Sequence, residues 1–108
     1  MNQLETNIKR NFKRYDIKTW RMFVTHAPDF LCMFKKKLFF VEAKQSHTPF
    51  SLASYSKTKQ FQELTKVPGF LLVYAKKKYY LGKPPFEELV HHKDINEVIN
   101  EIITAVTK

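Results

Sequence analysis

The sequence predicts an α/β domain in which a mixed β-sheet is flanked by helices, in the order α-β-β-β-α-β-β-α. Two observations lead to this fold class. Apolar segments of strand length occur in two pairs, and a lysine triplet joins the members of each pair. The chain also begins and ends with segments whose hydrophobic residues recur every three or four positions, as in helices that pack by one face. Its 108 residues are the length of a single domain, which we place at residues 1–108.

The helical segments are recognised from apolar stripes and from end signals. Leu4, Ile8 and Phe12 fall on one stripe of the first helix. Asp94 and Glu97 have the spacing of a capping box at the start of the last helix. The predicted helical segments are residues 3–15, residues 53–66, a short stretch after Pro84-Pro85, and a final helix that starts at Asp94.

The strand segments are rich in aromatic and β-branched residues. The predicted strands are residues 18–25, 29–34, 38–44, 70–75 and 79–81. The runs on either side of Lys35-Lys36-Lys37 are apolar on both faces, which is typical of a sheet covered on two sides. A second turn is predicted at Lys76-Lys77-Lys78, and the polar residues 45–52, which include Pro49, are predicted to form a loop.

The charge distribution indicates a polyanionic partner. There are 19 Lys and Arg residues against 10 Asp and Glu residues, a net charge of +9. Residues 1–83 carry 17 basic and 5 acidic side chains (net +12), whereas residues 84–108 carry 2 and 5 (net −3). Nucleic acid is the first partner to expect of so basic a body, and an anionic membrane the second. The alternative is that the lysines only keep a small, aromatic-rich protein soluble.

The composition also argues against several function classes. Glycine occurs only at Gly69 and Gly82, so glycine-rich nucleotide-phosphate loops are absent. Cys32 is the only cysteine, which excludes an internal disulfide. The histidines of the chain do not have the spacing from Cys32 that a zinc site requires. No apolar run approaches the roughly 20 residues of a membrane span, and we expect a reducing cytoplasm. Trp20 and the ten phenylalanines are expected in the core.

A carboxylate and an ammonium group end an otherwise apolar strand. Side chains alternate along residues 38–44, so Glu42 and Lys44 share a face. If the hairpin turns through Lys35-Lys36, Asp29 lies opposite Glu42 on that face, with Cβ atoms about 5 Å apart. A register shifted by one residue would move Asp29 to the other face.

Two carboxylates that close repel each other unless a cation lies between them, and hard oxygen ligands suit Mg²⁺ or Mn²⁺. An ion held by Asp29 and Glu42 can neutralise a phosphodiester oxygen and supply a hydroxide. Lys44 can orient the nucleophile or offset the developing charge. The residues by themselves equally allow a structural interpretation, in which Glu42 and Lys44 form a strand-end ion pair and Asp29 is a turn residue.

Pro28-Asp29, a hairpin and then Glu42-Ala43-Lys44 resemble the signature of the PD-(D/E)XK nucleases. A helix before the signature, apolar strands around it and a helix after it are the surroundings that this family's fold requires. The resemblance implies a restriction-endonuclease-like fold and a Mg²⁺ cofactor for which Mn²⁺ can substitute. It also implies metal ligation by Asp29, Glu42 and Ala43, with Lys44 as a further catalytic residue.

Within that superfamily the chain resembles Holliday-junction resolvases of the archaeal and RecU types. These enzymes add an acidic residue on the first helix, which implies that Glu5 is catalytic. Pro49-Phe50-Ser51-Leu52 resembles the stretch after the RecU-type EAK triplet, and Gln60 stands where those enzymes have a glutamine early in the next helix. It is a candidate catalytic residue that contacts metal-bound water or a phosphate, and the alternative is a solvated helix residue. The histidines that precede the glutamine in those enzymes are replaced by Lys57 and Lys59, and the long insertion of RecU-type enzymes has no obvious counterpart.

The expected function is therefore Mg²⁺-dependent, structure-selective cleavage of branched DNA by a homodimer, since two symmetric cuts need two active sites in fixed relation. Two alternatives stay open: a nuclease of the same fold that acts on linear, flapped or single-stranded DNA, and a non-catalytic DNA-binding module. The lysines expected to contact DNA are Lys35, Lys36, Lys37, Lys57, Lys59, Lys76, Lys77 and Lys78.

Overall fold

The computed structural model describes residues 2–23, 27–45, 52–83 and 89–108, which form a mixed six-stranded sheet with three helices. The predicted fold class, a mixed sheet flanked by helices, is confirmed. The elements are α1 (Gln3–Arg14), β1 (Lys18–Arg21), β2 (Phe30–Phe34), β3 (Lys37–Gln45), α2 (Leu52–Thr65), β4 (Gly69–Ala75), β5 (Lys78–Gly82), β6 (Leu89–His92) and α3 (Ile95–Thr107).

The strands lie in the sheet in the order in which they occur in the chain. Neighbouring strands are antiparallel except β3 and β4, which are parallel. A parallel pair needs a crossover connection, and α2 lies between these two strands in the chain. We call the end of the sheet where β3 and β4 finish the carboxyl end, and the opposite end the amino end.

The two faces of the sheet are covered differently. Helices α1 and α3 pack on one face, where the Phe39 ring lies 6.5 Å from the Phe12 ring and 5.7 Å from the Phe70 ring. Helix α2 packs on the other face over β3 and β4, and there Phe40 meets Phe61 edge to face at 4.6 Å. Among the described helices, none has the length and apolar composition that crossing a membrane requires.

The sequence did not predict strand β6. It pairs antiparallel with β5, where a short helical stretch had been expected after Pro84-Pro85, so that prediction is wrong for residues 89–92. A four-residue segment is too short to show a reliable period, and its pairing with β5 decides its conformation. Outside the described residues lie residues 84–88, the end of the predicted strand 18–25 and most of the predicted loop 45–52.

The expectation that the aromatic residues lie in the core fails at the edge strand β1. Trp20 is 46% exposed and Phe23, which follows the strand, is 88% exposed. Successive side chains of a strand point to opposite faces of the sheet, and the side chain of Thr19 is on the face towards α1. The side chain of Trp20 therefore lies on the face that α1 does not cover. Cys32 agrees with expectation: it is fully buried, and burial raises the pKa of its thiol, as in an unreactive core cysteine.

Both lysine triplets form tight hairpins. Phe34 pairs with Lys37, and Ala75 pairs with Lys78, so each turn has two residues and the predicted register of β2 against β3 is confirmed. All four turn residues have positive φ: Lys35 (49°), Lys36 (67°), Lys76 (52°) and Lys77 (62°). Positive φ at both positions is typical of the type I′ turn, whose twist matches that of the strands but which favours Asn-Gly over lysine.

The first prediction concerns this turn. The double substitution Lys35→Asn/Lys36→Gly should stabilise the protein by about 1 kcal/mol, because a side chain in the left-handed region costs about 1–2 kcal/mol, which glycine avoids. Thermal unfolding should show a Tm higher by about 4–8 °C. The double substitution Lys76→Asn/Lys77→Gly makes the same change in the other turn and serves as the comparison. An unchanged or lower Tm in both double variants would contradict the strain assigned to these turns.

Candidate active site

Asp29 and Glu42 meet at the carboxyl end of the sheet. Asp29 directly precedes β2, and the neighbouring pair in the register is Phe30 with Val41, so one further step brings Asp29 opposite Glu42. The two residues are in direct contact, because the main-chain N–H of Asp29 donates to Glu42 Oε1 at 3.2 Å. The alignment of these two carboxylates is thus the one that the sequence predicted.

A second hydrogen bond from a main-chain N–H to a side-chain carboxylate crosses the first. The N–H of Ala43 donates to Asp29 Oδ2 at 2.8 Å, while Asp29 N–H donates to Glu42 Oε1. Each carboxylate therefore has one oxygen held by an N–H from the opposite strand, and the sheet itself sets its orientation. The other two oxygens, Asp29 Oδ1 and Glu42 Oε2, each contact a cationic side chain.

Arg21, the last residue of β1, contacts the Asp29 side of the pair. Its Nη1 donates to Asp29 Oδ1 at 3.2 Å and to the carbonyl oxygens of Asp29 and Met22 at 3.0 Å each. Its Nε lies 3.4 Å from Glu5 Oε2, so Arg21 connects helix α1 to the start of β2. Arg21 was not among the predicted site residues, although a charged residue at an inward-facing strand position was an available signal.

Glu5 lies where the resemblance placed it, in the first turn of α1. The helix begins there because Asn2 Oδ1 accepts a hydrogen bond from Glu5 N–H at 2.8 Å. The side chain is buried, and Oε2 accepts no hydrogen bond from any residue that the structure describes. A buried carboxylate oxygen with only a long ion-pair contact to Arg21 is unusual, and it indicates room for a further donor or a cation.

Lys57 of α2 contacts the Glu42 side of the pair. Its Nζ lies 2.9 Å from Glu42 Oε2, and the Glu42 side chain is only 7% exposed. Burial is the main cause that raises the pKa of the Glu42 carboxyl to about 7; the hydrogen bond from Lys57 opposes this rise and the nearby Asp29 adds to it. Around neutral pH, Glu42 is therefore ionised in only part of the molecules unless a further cation is bound.

The donor atoms fit a hard divalent cation. Asp29 Oδ1 and Glu42 Oε2 are carboxylate oxygens, which Mg²⁺ and Mn²⁺ prefer, and Ala43 can add only its main-chain carbonyl because its side chain is a methyl group. Within the described ranges, no three acidic, histidine or cysteine side chains are close enough to enclose a metal. An ion bound here would keep several water ligands, as Mg²⁺ usually does.

The remaining predicted catalytic residues lie at the rim of this site. Lys44 follows Glu42 by two positions on β3, so it is on the same face, and it is exposed. Gln60 is exposed on α2 and follows Lys57 by three residues, which puts the two on one side of the helix. Lys59 is also exposed on α2.

The two lysine turns lie at opposite ends of the sheet. Lys76-Lys77 follows β4, which is parallel to β3, so this turn is at the carboxyl end with Lys44. Lys35-Lys36 precedes β3 and is at the amino end. The strand between Lys37 and Lys44 spans about 23 Å at 3.3 Å per residue. The two turns therefore lie on opposite sides of the carboxylate pair, since Glu42 follows Lys36 by six residues and its β4 partner, Leu71, precedes Lys76 by five.

No protein-family model and no curated protein sequence matches this chain. Among solved structures, it is similar to that of Hjc, a Holliday junction resolvase from the archaeal hyperthermophile Archaeoglobus fulgidus, with a TM-score of 0.59 and 8% sequence identity. This similarity covers 86% of this chain and 88% of the resolvase. A similarity to the structure of SSO0001 covers 82% of this chain and 45% of that chain, at 13% sequence identity. Its TM-score of 0.44 is below the level that indicates a shared fold.

At 8% identity, the likeness to Hjc concerns the fold and not the activity. The resemblance noted in the sequence is confirmed at that level: the chain has the α/β fold of an archaeal Holliday junction resolvase.

Proposed function

We propose that this protein is a Mg²⁺-dependent endonuclease that hydrolyses DNA phosphodiester bonds and cuts four-way junctions as a homodimer. The observation that carries the proposal is the crossed pair of hydrogen bonds that holds Asp29 and Glu42 in contact. Two like charges are not brought together for stability, since they repel each other, and the nearby Asp29 contributes to the raised pKa of Glu42. The resolvase-like fold supports the choice of substrate.

The residues around the pair have distinct roles in this proposal. A divalent ion bound to Asp29 and Glu42 would supply Lewis-acid chemistry. Lys44, on the same face, donates to the phosphate or orients the attacking water, and Gln60 at the rim contacts the same phosphate or water. Arg21 orients Asp29 by donating hydrogen bonds to both the carboxylate and the main-chain carbonyl of that residue, and Glu5 holds the guanidinium in place.

The lysine turns are the proposed DNA contacts. Lysine is disfavoured at positive φ, and strained backbone is kept where function requires it, so these turns are better explained by phosphate binding than by turn stability. If the DNA lies along β3, Lys76, Lys77 and Lys78 would contact phosphates about five base pairs to one side of the cleaved bond, at 3.4 Å per base pair. Lys35, Lys36 and Lys37 would contact phosphates about six base pairs to the other side.

The dimer follows from the substrate. The subunit measures only 34 × 29 × 27 Å between its Cα extremes, and a junction presents two opposing strands for cleavage. A two-fold axis provides two identical sites in fixed relation, which one small subunit does not. Light scattering at working concentration should give two subunits.

The second prediction tests this function directly. A labelled four-way junction and a linear duplex of the same sequence are incubated with Mg²⁺, Mn²⁺, Ca²⁺ or excess chelator. We expect paired symmetric cuts in the junction with Mg²⁺ or Mn²⁺, binding without cleavage in Ca²⁺, and no cleavage in chelator. Equal cutting of both substrates by a monomer would favour the general nuclease, and binding without cutting under all conditions would favour the non-catalytic module.

Site variants are the controls for that experiment. Asp29→Asn, Glu42→Gln and Lys44→Ala should each lower cleavage by about 10²-fold or more while DNA binding remains, and Glu5→Gln should lower it less. Glu63→Gln makes the same chemical change at an exposed residue of α2 and should retain wild-type cleavage. Wild-type turnover by Glu42→Gln would contradict the site.

The third prediction is that stability without divalent ions falls as pH rises. Glu42 has a pKa of about 7 in the folded protein against a reference of 4.5, so the folded state holds this proton more tightly than the unfolded state does. The resulting stabilisation is complete below pH 4.5 and is lost as pH rises through about 7. The loss should be of the order of 1–3 kcal/mol.

The measurement is thermal unfolding at pH 5.5 and pH 8 in chelator. Glu42→Gln should be more stable than the wild type at pH 8 and much closer to it at pH 5.5, whereas Glu63→Gln should follow the wild type. Mg²⁺ at pH 8 should raise the Tm of the wild type and leave that of Glu42→Gln unchanged. A difference between wild type and Glu42→Gln that is the same at both pH values would show that the pKa of Glu42 is not raised.

The fourth prediction concerns the two lysine turns. The triple substitution Lys76→Ser/Lys77→Ser/Lys78→Ser should weaken binding to DNA that extends more than about five base pairs from the cut on one side, and should reduce the slope of log K against log salt by about 0.9 for each phosphate that the variant no longer neutralises. The triple substitution Lys35→Ser/Lys36→Ser/Lys37→Ser should weaken binding only to DNA that extends more than about six base pairs on the other side. If DNA shortened on one side only affected both variants equally, the separation of the two turns would be contradicted.

A further inference from the structure

We infer that Lys57 competes with the divalent ion for the same oxygen of Glu42, and that DNA relieves this competition by drawing the Lys57 ammonium towards a phosphate. Metal and DNA would then bind cooperatively, with Lys57 as the positioning residue that couples them. This inference rests on the proposed nuclease function and adds a regulatory step to it.

The four oxygens of the carboxylate pair determine which atoms an ion can reach. Asp29 Oδ2 and Glu42 Oε1 each accept a hydrogen bond from a main-chain N–H across the strand pair. Asp29 Oδ1 and Glu42 Oε2 contact side chains instead, those of Arg21 and Lys57. An ion that binds these last two oxygens leaves both main-chain N–H donors in place, and at Glu42 Oε2 it meets the Lys57 ammonium, whose Nζ is 2.9 Å away.

The two cations differ in how firmly they are held. Arg21 is anchored by two main-chain carbonyls in addition to its contacts with Asp29 and Glu5. Lys57 forms one ion pair with a described residue, Glu42, and its side chain is 31% exposed. A lysine ammonium on a long flexible stem can move to solvent or to a phosphate at small cost, whereas the guanidinium would lose several hydrogen bonds.

The exchange has a thermodynamic consequence. While Lys57 pairs with Glu42, an entering divalent ion must break that pair and place its charge beside a like charge, so metal binding is weakened. A DNA phosphate near α2 offers Lys57 another anion, and Gln60, three residues further on the same side of the helix, is exposed. By linkage, DNA then raises the affinity for metal, and metal raises the affinity for DNA by the same factor.

A DNA phosphate can also bind the metal directly, which gives cooperativity without Lys57. The decisive quantity is therefore the metal affinity in the absence of DNA. Lys57→Met keeps an apolar stem of similar length and removes the competing charge. Lys59→Met removes the same charge two residues away on α2, from a side chain that is exposed, and is the matched control.

The experiment is calorimetric titration of the full chain with Ca²⁺ at pH 8.5, alone and bound to a four-way junction. Without DNA, Lys57→Met should bind Ca²⁺ about tenfold more tightly than the wild type, equivalent to removing about 1.4 kcal/mol of competition. Lys59→Met should bind it as the wild type does. With DNA, the difference between Lys57→Met and the wild type should shrink to about twofold or less, because DNA has already displaced Lys57.

A Lys57→Met protein with a native circular dichroism spectrum that binds Ca²⁺ no more tightly than the wild type would overturn the inference and leave the nuclease proposal standing. Equal tightening by Lys59→Met would also overturn it, because general charge would then be the cause. A wild type that binds no divalent ion, with or without DNA, would overturn both. Should Lys57→Met fail to fold, Lys57→Gln, which keeps a hydrogen-bond donor to Glu42, carries the same expectation.

Discussion

The register of the hairpin between β2 and β3 determines the rest of the site. A two-residue turn at Lys35-Lys36 puts Asp29 opposite Glu42, and a shift of one residue would send Asp29 to the other face. The turn residues do not favour this conformation, because both have positive φ. The register is imposed by β2, whose alternate residues, from Phe30 to Phe34, are buried. Burial of each such side chain stabilises by about 1.5–3 kcal/mol, which exceeds the steric cost of about 1–2 kcal/mol at each turn residue.

The same register makes the carboxylate pair unstable by itself. Glu42 is buried beside Asp29, and its raised pKa means that ionising it costs free energy in the folded protein. Arg21 and Lys57 offset part of this repulsion from the two sides. Removing a partner from such a buried group leaves an uncompensated charge, so the surrounding cations are as much part of the site as the carboxylates are. A site that still favours a further cation after this compensation is suited to hold a metal.

Local signals in the sequence were sufficient for the hairpin and for helices α1 and α3, because apolar periodicity and caps act over a few residues. They also sufficed to align Asp29 with Glu42, since that alignment depends only on the length of one turn. Long-range pairing was not accessible: β6 exists because β5 is beside it, and Arg21 is recognisable only when β1, α1 and β2 are together. The separation of the two lysine turns depends on the parallel pairing of β3 with β4, which only the crossover through α2 decides.

The basic residues of the site divide by chemistry into fixed and exchangeable charges. Arg21 has a planar guanidinium whose donors reach carboxylates and main-chain carbonyls at once, so it acts as part of the scaffold. Lys44 and Lys57 end in ammonium groups on flexible stems, and such groups exchange one anion for another without disturbing the strands. In the proposed nuclease, the phosphates of substrate and product enter and leave this site at every turnover. Arg21 is fixed between the carboxylates, and the flexible lysines lie at the open side of the site. This arrangement permits the exchange of anions while the register of β2 and β3 stays unchanged.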